Sequence, residues 1–195
     1  MASEGRGAAR ENAILSATLE LLAESGYDQL TIDAVAGRAH CSKATIYRRW
    51  PGKAELVVAA VRRHAGDPVP AVPDTGTLRG DLLAALAAMR TSLAGQDAAL
   101  LLGLMLAVRR DPELASVVRN QVLDSKRQVF EAAVAQAVAH GDLAAPADHA
   151  LAAEIGSAML LSRLLLTGEP LDETFSAHVV DAVLLPVLDA QSGRK

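Results

Sequence analysis

Residues 31–53, TIDAVAGRAHCSKATIYRRWPGK, constrain the fold of this chain more than any other segment, because they predict two short helices joined by a tight turn. Thr31 is a typical helix N-cap, and the apolar residues after it recur at the spacing of one helix face: Ile32, Val35, Ala36 and Ala39. Ser42 is a second N-cap, which starts a helix from Lys43 to about Trp50. Two helices so close in sequence must cross at a steep angle.

The second of these helices has two distinct faces. At about 100° per residue, Ile46 and Trp50 share one face and point inward. The opposite face and its flanks hold Ala44, Thr45, Tyr47, Arg48 and Arg49. This surface is small in the middle and carries hydrogen-bond donors at its edges, as a helix entering the major groove of DNA requires. A solvated basic face on an ordinary helical bundle is the alternative interpretation.

The order of residues in and around this helix pair matches a known pattern. The matching positions are Gly26-Tyr27, Thr31-Ile32, Ala36, Ala39, Ser42-Lys43, Thr45-Ile46-Tyr47, Trp50 and Lys53-Ala54-Glu55-Leu56. This order resembles the DNA-binding domain of tetracycline-repressor-like (TetR family) transcriptional regulators. The resemblance implies that Thr31, Tyr47 and Lys53 hold phosphates. It also implies that Lys43, Ala44, Thr45 and Arg48 face the groove, directly after Ser42, which belongs to the same DNA-binding segment. Arg49 could hold a phosphate or face the groove.

Two positions depart from the usual pattern of that family. His40 stands in the turn where a glycine is common, and if this position needs a positive φ, histidine is among the less costly replacements. Ala44 replaces another frequent glycine and adds a methyl group where the helix approaches DNA most closely. That methyl group favours contact with a thymine methyl.

The net charge of −4 is unevenly distributed along the chain. Residues 1–66 contain nine Lys/Arg and seven Asp/Glu (+2), whereas residues 67–195 contain ten and sixteen (−6). The positive excess therefore lies with the helix pair and is modest, so affinity for DNA must depend on a local patch. Arg6 and Arg10 are candidates for an N-terminal arm that adds phosphate or minor-groove contacts.

A proline-rich segment divides the chain. Residues 67–76, DPVPAVPDTG, predict an extended linker between a DNA-binding domain (1–66) and a larger domain (77–195). The predicted fold is all-α, with about nine helices. Four precede the linker, the first ending near Gly26 and the fourth covering residues 53–64. Five follow it, at about 77–94, 98–110, 112–140, 148–167 and 172–189.

Local signals predict where several of the later helices begin and end. Asp111 caps a helix whose first residue is Pro112, and Gly141 and Gly168 are stop signals. Pro186 is expected to kink or end the last helix.

The second domain resembles the C-terminal domain of one TetR-family branch. The resemblance rests on Arg109-Arg110-Asp111-Pro112-Glu113-Leu114, His140-Gly141-Asp142-Leu143 and residues 164–172, LLLTGEPLD. It implies a homodimer formed through the last two helices, for which residues 151–166 and Val179, Val180, Val183 and Leu184 are suited. Packing within one chain is the alternative for these residues. A dimer also follows from the short recognition helix, which needs a second half-site in a palindromic operator.

The family also implies that a small-molecule effector binds in the second domain. The adaptable or aromatic side chains that are candidates for lining such a pocket are Met89, Met105, Phe130 and Met159. They predict a largely apolar ligand, although methionines at helical spacing more often fill a core. In the family, the fourth helix transmits ligand binding to the recognition helices, whose separation then no longer matches half-sites one turn apart.

Other functional classes find little support in the sequence. It contains no glycine-rich phosphate loop, no HExxH and no GxSxG, so neither an enzyme nor a bound cofactor is expected. His140, Asp142, Asp148 and His149 lack the spacing of a metal site. The start of the chain has no apolar core of a signal peptide, and residues 98–108 are too few to span a bilayer, so a cytoplasmic protein without a membrane partner is expected.

The sequence therefore predicts a homodimeric, ligand-responsive transcriptional regulator of double-stranded DNA, a repressor being the commonest kind in this family. Two alternatives stay open at this point. One is a DNA-binding regulator without a small-molecule effector, and the other is a helical binding protein with a vestigial DNA domain.

Overall fold

The described part of the chain is entirely helical, which confirms the predicted all-α fold. A computed structural model describes residues 2–65, 74–143 and 148–192, and nine helical runs and no strand occur within these ranges. Six runs are single helices: α1 (Ala2–Gln29), α2 (Ile32–Arg38), α3 (Lys43–Tyr47), α4 (Lys53–His64), α5 (Leu78–Ala94) and α6 (Ala98–Val108). Most of the predicted linker, residues 67–73, lies outside the described residues.

Each of the other three runs contains a π-helical turn. The first joins α7 (Pro112–Val118) to α8 (Asp124–His140) through Arg119–Leu123, and the second is α9 (His149–Ser162) followed by Arg163–Thr167. The third joins α10 (Glu173–Val179) to α11 (Leu185–Ser192) through Val180–Leu184. Pro186 does not end this last run, contrary to one of the two expectations. It lacks a backbone N–H group, and the wider turn lies directly before its helix.

Side-chain caps fix most of the helix starts. The predicted caps Thr31, Ser42 and Asp111 all accept hydrogen bonds from backbone N–H groups of the first turn, as do Thr77, Asp97, Asp148 and Asp172. The predicted stops are also confirmed, since Gly141 (φ 84°) and Gly168 (φ 67°) take the left-handed conformation after their helices.

The helix-turn-helix lies in the first of two compact units. This unit combines the described residues up to 65 with residues 96–119. α1 packs on α4, α6 and α2, while α2 also packs on α3 and α4 on α7. The core of this unit consists of fully or almost fully buried apolar side chains: Ile14, Ala17, Leu30, Val35, Ile46, Leu56 and Val57.

The packing of residues 96–119 differs from the sequence-based division. That division placed α6 and α7 with everything after the linker, whereas α6 packs on α1 and α7 packs on α4 in the first unit. The three consecutive leucines of α6 predict that the helix is buried on an apolar face. They do not predict which helix it packs against, because sequence periodicity contains no information about the partner.

The second unit is a bundle of α5, α8, α9, α10 and α11. α8 packs on α5 and α9, and α10 packs on α5. Its core contains Leu82, Leu86, Met89, Phe130, Val134, Leu160, Leu184 and Leu188. Gly156 allows α9 to approach closely, because a Cβ atom there would lie 3.1 Å from Leu86 Cδ2 and 3.3 Å from Phe130 Cζ.

Two residues with positive φ shape the first unit. Gly26 (φ 75°, ψ 172°) kinks α1 where the first helix was predicted to end, and helical residues continue after it to Gln29, with Tyr27 in the core. His40 has φ 49° and ends α2 in a Schellman motif, in which the N–H of His40 donates to Gly37 O (3.3 Å) and that of Cys41 to Ala36 O (3.0 Å). The same motif ends α8 with Gly141, so histidine occupies a position that glycine fits at lower strain.

Replacing Gly156 by valine is expected to destabilise the chain by about 1–3 kcal/mol, because the new side chain overlaps Leu86 and Phe130 in a filled core. Urea unfolding followed by circular dichroism measures the change. Gly103→Val is the matched control, since nothing lies within 4 Å of a Cβ at this helical glycine. Equal stabilities of the two variants would contradict the close packing of α9.

His40→Gly is expected to stabilise the chain by about 0.5–1 kcal/mol, because glycine adopts a positive φ without a Cβ penalty. The neighbouring Ala39→Gly is the control: Ala39 has φ −83°, so this change only adds flexibility to the unfolded chain and lowers stability. Both are measured as shifts of the urea midpoint, and a loss of stability in His40→Gly would show that the turn is unstrained.

Candidate nucleic-acid interface

The first element of the interface is the N-terminus of α2. Thr31 Oγ1 accepts a hydrogen bond from Ala34 N (3.2 Å), and the residue is exposed. Because the oxygen serves as acceptor, the hydroxyl hydrogen is available to donate to a phosphate. Ile32, Val35 and Ala36 are buried beneath it, which fixes the direction of the helix.

α3 presents the faces that its sequence predicts. Ile46 is fully buried and Trp50, just beyond the helix, is 7% exposed. The other side holds exposed residues and the half-buried Thr45; the exposed ones are Ser42, Lys43, Ala44, Tyr47, Arg48 and Arg49. Ser42 Oγ accepts from Thr45 N (3.2 Å) and lies 3.0 Å from Thr45 Oγ1, so the two hydroxyl groups are held together at the start of the helix.

Acidic neighbours pair with two of the three cations on and directly after α3. Lys43 Nζ lies 2.9 Å from Asp33 Oδ1, and this hydrogen bond raises the pKa of the lysine. Arg49 forms an ion pair with Glu11 of α1. Among the side chains that the structure describes, none forms an ion pair with Arg48, whose guanidinium is exposed.

A cleft of about 380 Å³ lies between the first turns of α1 and the end of α3. Its lining contains three arginines and one carboxylate; the residues are Gly7, Arg10, Glu11, Ile14, Thr45, Arg48 and Arg49. Arg10, which lies within α1, thus adds a cation to the cleft that Arg48 also lines, and its contact with DNA stays a prediction. The side chain of Arg6 lies outside the described residues.

The start of α4 forms the far edge of the surface. Its N-cap, Gly52, provides no side-chain hydrogen bond, so the first N–H groups of α4 lack a capping side chain. Lys53 Nζ lies 4.2 Å from the centroid of the Tyr27 ring and 3.4 Å from Asp28 O. Burial lowers the pKa of this lysine, and the charges of Asp28 and Asp111 oppose that shift.

Sequence reasoning gave no role at this edge to Tyr27 and assigned Asp111 only as a helix cap. The Tyr27 hydroxyl donates to Asp111 Oδ2 (3.0 Å) across 84 residues of sequence. No local pattern reports a contact over such a separation, so only the presence of both residues in motifs could have indicated their importance.

The four candidate effector-binding residues do not share one environment. Met89 on α5 and Phe130 on α8 are buried in the second unit, where Met159 on α9 is half-buried. Met105 on α6 belongs to the first unit and is 46% exposed. None of the four lines the second-unit groove of about 420 Å³ between α5 and α10.

The residues considered as metal ligands have other roles. His140 Nε2 lies 3.5 Å from Asp74 Oδ2, and Asp142 Oδ2 accepts from Leu78 N at the start of α5 (3.2 Å). Asp148 caps α9, and His149 lies 4.0 Å from Glu131. Within the described ranges no three His, Cys, Asp or Glu side chains come together in a way that would hold a metal ion.

The sequence of this chain is similar to known regulators over almost its whole length. Residues 14–60 match the family described as bacterial regulatory proteins, tetR family, and residues 72–183 match the tetracyclin repressor-like C-terminal domain. The DNA-binding transcriptional repressor TetR of Mycobacteroides abscessus is 38% identical over 94% of this chain and 96% of its own length. The HTH-type transcriptional regulator YdeS of Bacillus subtilis is 30% identical over 86% of this chain and 84% of its own.

The fold is also similar to solved structures. The TetR family transcription regulator SCO0332 superposes with a TM-score of 0.65 at 30% identity, covering 91% of this chain and 98% of that one. FadR from Bacillus subtilis, solved in complex with stearoyl-CoA, shares the fold with a TM-score of 0.62 at 18% identity, covering 90% of this chain and 96% of that one. With the capped helix pair, its exposed cationic face and both family domains in one chain, this protein belongs to the TetR family of DNA-binding transcriptional regulators and is not an enzyme.

Proposed function

We propose that this regulator is a homodimeric repressor that reads a palindromic operator through α3 and leaves it when a small, largely apolar ligand binds the second domain. The observation that carries the DNA-binding part is the exposed guanidinium of Arg48. Arg48 is the C-cap of α3 and has no ion-pair partner among the described side chains, and it lies on the face opposite the buried Ile46 and Trp50.

Bases and phosphates are divided between two sets of residues in this proposal. Lys43, Ala44, Thr45 and Arg48 face the groove, where the small side chain of Ala44 permits close approach. Thr31, Tyr47 and Lys53 hold phosphates on either side, and Ser42 positions the start of α3. Lys43 and Arg49 contact DNA by leaving their acidic partners, Lys43 for groups in the groove and Arg49 for the groove or a phosphate. The cost is small because exposed ion pairs contribute little stability.

The proposed dimer contact is an exposed stripe on the run from α9. Residues spaced three or four apart share it: Leu151, Glu154, Ala158, Ser162 and Leu166, the last of which is 79% exposed. Small residues in its middle suit close helix packing. Residues 149–167 are also long and apolar enough to cross a membrane by length and composition alone. Their apolar side chains therefore lie on the exposed face as well as on the buried one, which suits a contact with a second subunit.

The residues named earlier for the dimer contact on the last helical run require correction. Val179, Val180 and Leu184 are fully buried within one chain, because they face α5 and α9 in the core of the bundle. Only Val183 of that set is partly exposed. In this proposal the exposed side of the α10–α11 run contacts the second subunit, and Ala182 on that side is small enough for close helix packing.

The proposed ligand site lies among apolar side chains of the second unit. Its support is the apolar environment of Met89, Phe130 and Met159, together with the same fold in FadR, which was solved with stearoyl-CoA. The close contact of Phe130 with Gly156 favours the second candidate, a regulator of the same DNA without a small-molecule effector. Operator affinity measured with and without bacterial small-molecule extracts separates the two, since only the first candidate predicts release.

Arg48→Ala is expected to lower affinity for operator DNA about 10- to 100-fold, which corresponds to the loss of one good base contact. The probe is a duplex selected by the wild-type protein from a randomised library, and binding is measured by fluorescence anisotropy at several salt concentrations. Arg38→Ala is the matched control, because Arg38 is bound to Glu20 and Glu24 and should change affinity less than about threefold. Unchanged affinity in Arg48→Ala would contradict the proposed role of α3.

Ala158→Arg is expected to weaken dimerisation at least about 100-fold, because a long charged side chain replaces a small one in the proposed helix interface and costs about 3 kcal/mol or more. Sedimentation velocity at micromolar concentration measures the shift from dimer to monomer. Ala135→Arg on the exposed side of α8 is the control and should stay dimeric. A dimeric Ala158→Arg variant would place the subunit contact elsewhere.

A further inference from the structure

Asp111, at the start of α7, uses its two carboxylate oxygens for different purposes. Oδ1 accepts hydrogen bonds from Glu113 N (2.9 Å) and Leu114 N (3.0 Å) and so caps the helix. Oδ2 accepts from the hydroxyl of Tyr27 (3.0 Å). The cap therefore also holds the end of α1, and the three hydrogen bonds leave the carboxylate little freedom to rotate.

Tyr27 transmits this restraint to a lysine. Its side chain is 5% exposed, and the face of its ring lies 4.2 Å from Lys53 Nζ. The ring attracts the ammonium group electrostatically, and the hydroxyl bond to Asp111 fixes the orientation of the ring. A phenylalanine would provide the same packing and the same ring face, so the hydroxyl is needed only for the contact with Asp111.

Lys53 stands where the restraint matters for DNA. It is the first residue of α4, beside the uncapped N–H groups of that helix, and its ammonium also donates to Asp28 O (3.4 Å). Asp28 is in turn 3.7 Å from Arg110, the residue before Asp111. Arg110 and Asp111 thus contact the end of α1 at two points, Asp28 and Tyr27, and both of these residues also contact the Lys53 side chain.

We infer that Asp111 and Tyr27 are positioning residues for operator binding, which hold the ammonium of Lys53 where it meets a DNA phosphate. The inference rests on the proposed function, in which Lys53 is a phosphate contact. A fixed ammonium loses less conformational entropy on binding than a free lysine side chain, which has four rotatable bonds. Loss of the Tyr27–Asp111 hydrogen bond should therefore weaken DNA binding only because Lys53 is no longer held in place.

A thermodynamic cycle on the full-length protein tests this dependence. Affinity for the duplex selected by the wild-type protein is measured for Tyr27→Phe, Asp111→Asn and Lys53→Met, and for each of the first two combined with Lys53→Met. Tyr27→Phe and Asp111→Asn are each expected to weaken binding about three- to tenfold in the wild-type background and less than about twofold in the Lys53→Met background. Lys53→Met should also reduce the salt dependence by about one phosphate contact.

Matched variants separate positioning from folding. Asparagine remains a good N-cap, so Asp111→Asn should keep α7 intact. Asp97→Asn makes the same change at the cap of α6, where the carboxylate accepts from Ala99 N (2.8 Å), and should leave affinity within about twofold. The inference is overturned if Tyr27→Phe binds as tightly as the wild-type protein or more tightly, or if its effect persists undiminished without Lys53.

The phenol of Tyr27 gives a second readout that does not involve DNA. Burial, then the hydrogen bond and charge of Asp111, raise the pKa of Tyr27 well above its ordinary value. The chain has only two tyrosines, so in a Tyr47→Phe background near-ultraviolet absorbance follows Tyr27 alone. Asp111→Asn should lower this pKa towards the ordinary value, and an unchanged titration would show that the bond is absent in solution.

These measurements separate the inference from the proposed function. If the wild-type protein selects no duplex, or if Arg48→Ala binds normally, the proposed function fails. If Arg48→Ala loses affinity as expected but the Lys53 cycle shows independent effects, only the positioning role of Asp111 and Tyr27 fails.

Discussion

The inward packing of Ile46 and Trp50 is the constraint on which the proposed DNA-binding surface depends. α3 has only five residues and is too short to be stable alone, so its orientation comes from the two side chains that bury its inner face. Once that face is fixed, helical geometry places Ala44 and Arg48 outside. The caps Thr31 and Ser42 define the starts of α2 and α3, and both residues are exposed on the surface proposed to meet DNA.

Acidic neighbours moderate the charge of this surface. Asp33 pairs with Lys43 and Glu11 with Arg49, whereas Arg38 is held by two glutamates away from α3. A surface of this kind attracts any DNA weakly, because its cations are partly neutralised before binding. In the proposed complex with DNA, specific binding depends on Arg48 and on the geometry of the donors around it, which fits the small positive excess of residues 1–66.

Local signals predicted the secondary structure well, because caps, stops and periodicity act over a few residues. Asp111 with Pro112, the stops Gly141 and Gly168, and the five later helices all agree with the structure within a few residues. Partners in space were less predictable. Residues 96–119 pack with the first unit, and Val179 and Val180 face their own core, because an apolar stripe does not specify what covers it. The π turns left no sequence signal that periodicity could detect.

Asp111 shows why the candidate site was only partly predictable. Its Oδ1 atom accepts hydrogen bonds from residues two and three positions later, and the spacing of residues in the sequence predicts such a cap. Its Oδ2 atom accepts from Tyr27, 84 residues away, and no spacing in the sequence predicts that contact. One carboxylate that both caps α7 and anchors Tyr27 makes the two positions interdependent. A rotation of the first turn of α7 must break either the cap or the tyrosine bond, because one rigid group cannot follow both. The ammonium of Lys53 is therefore sensitive to the start of α7 as well as to its own helix.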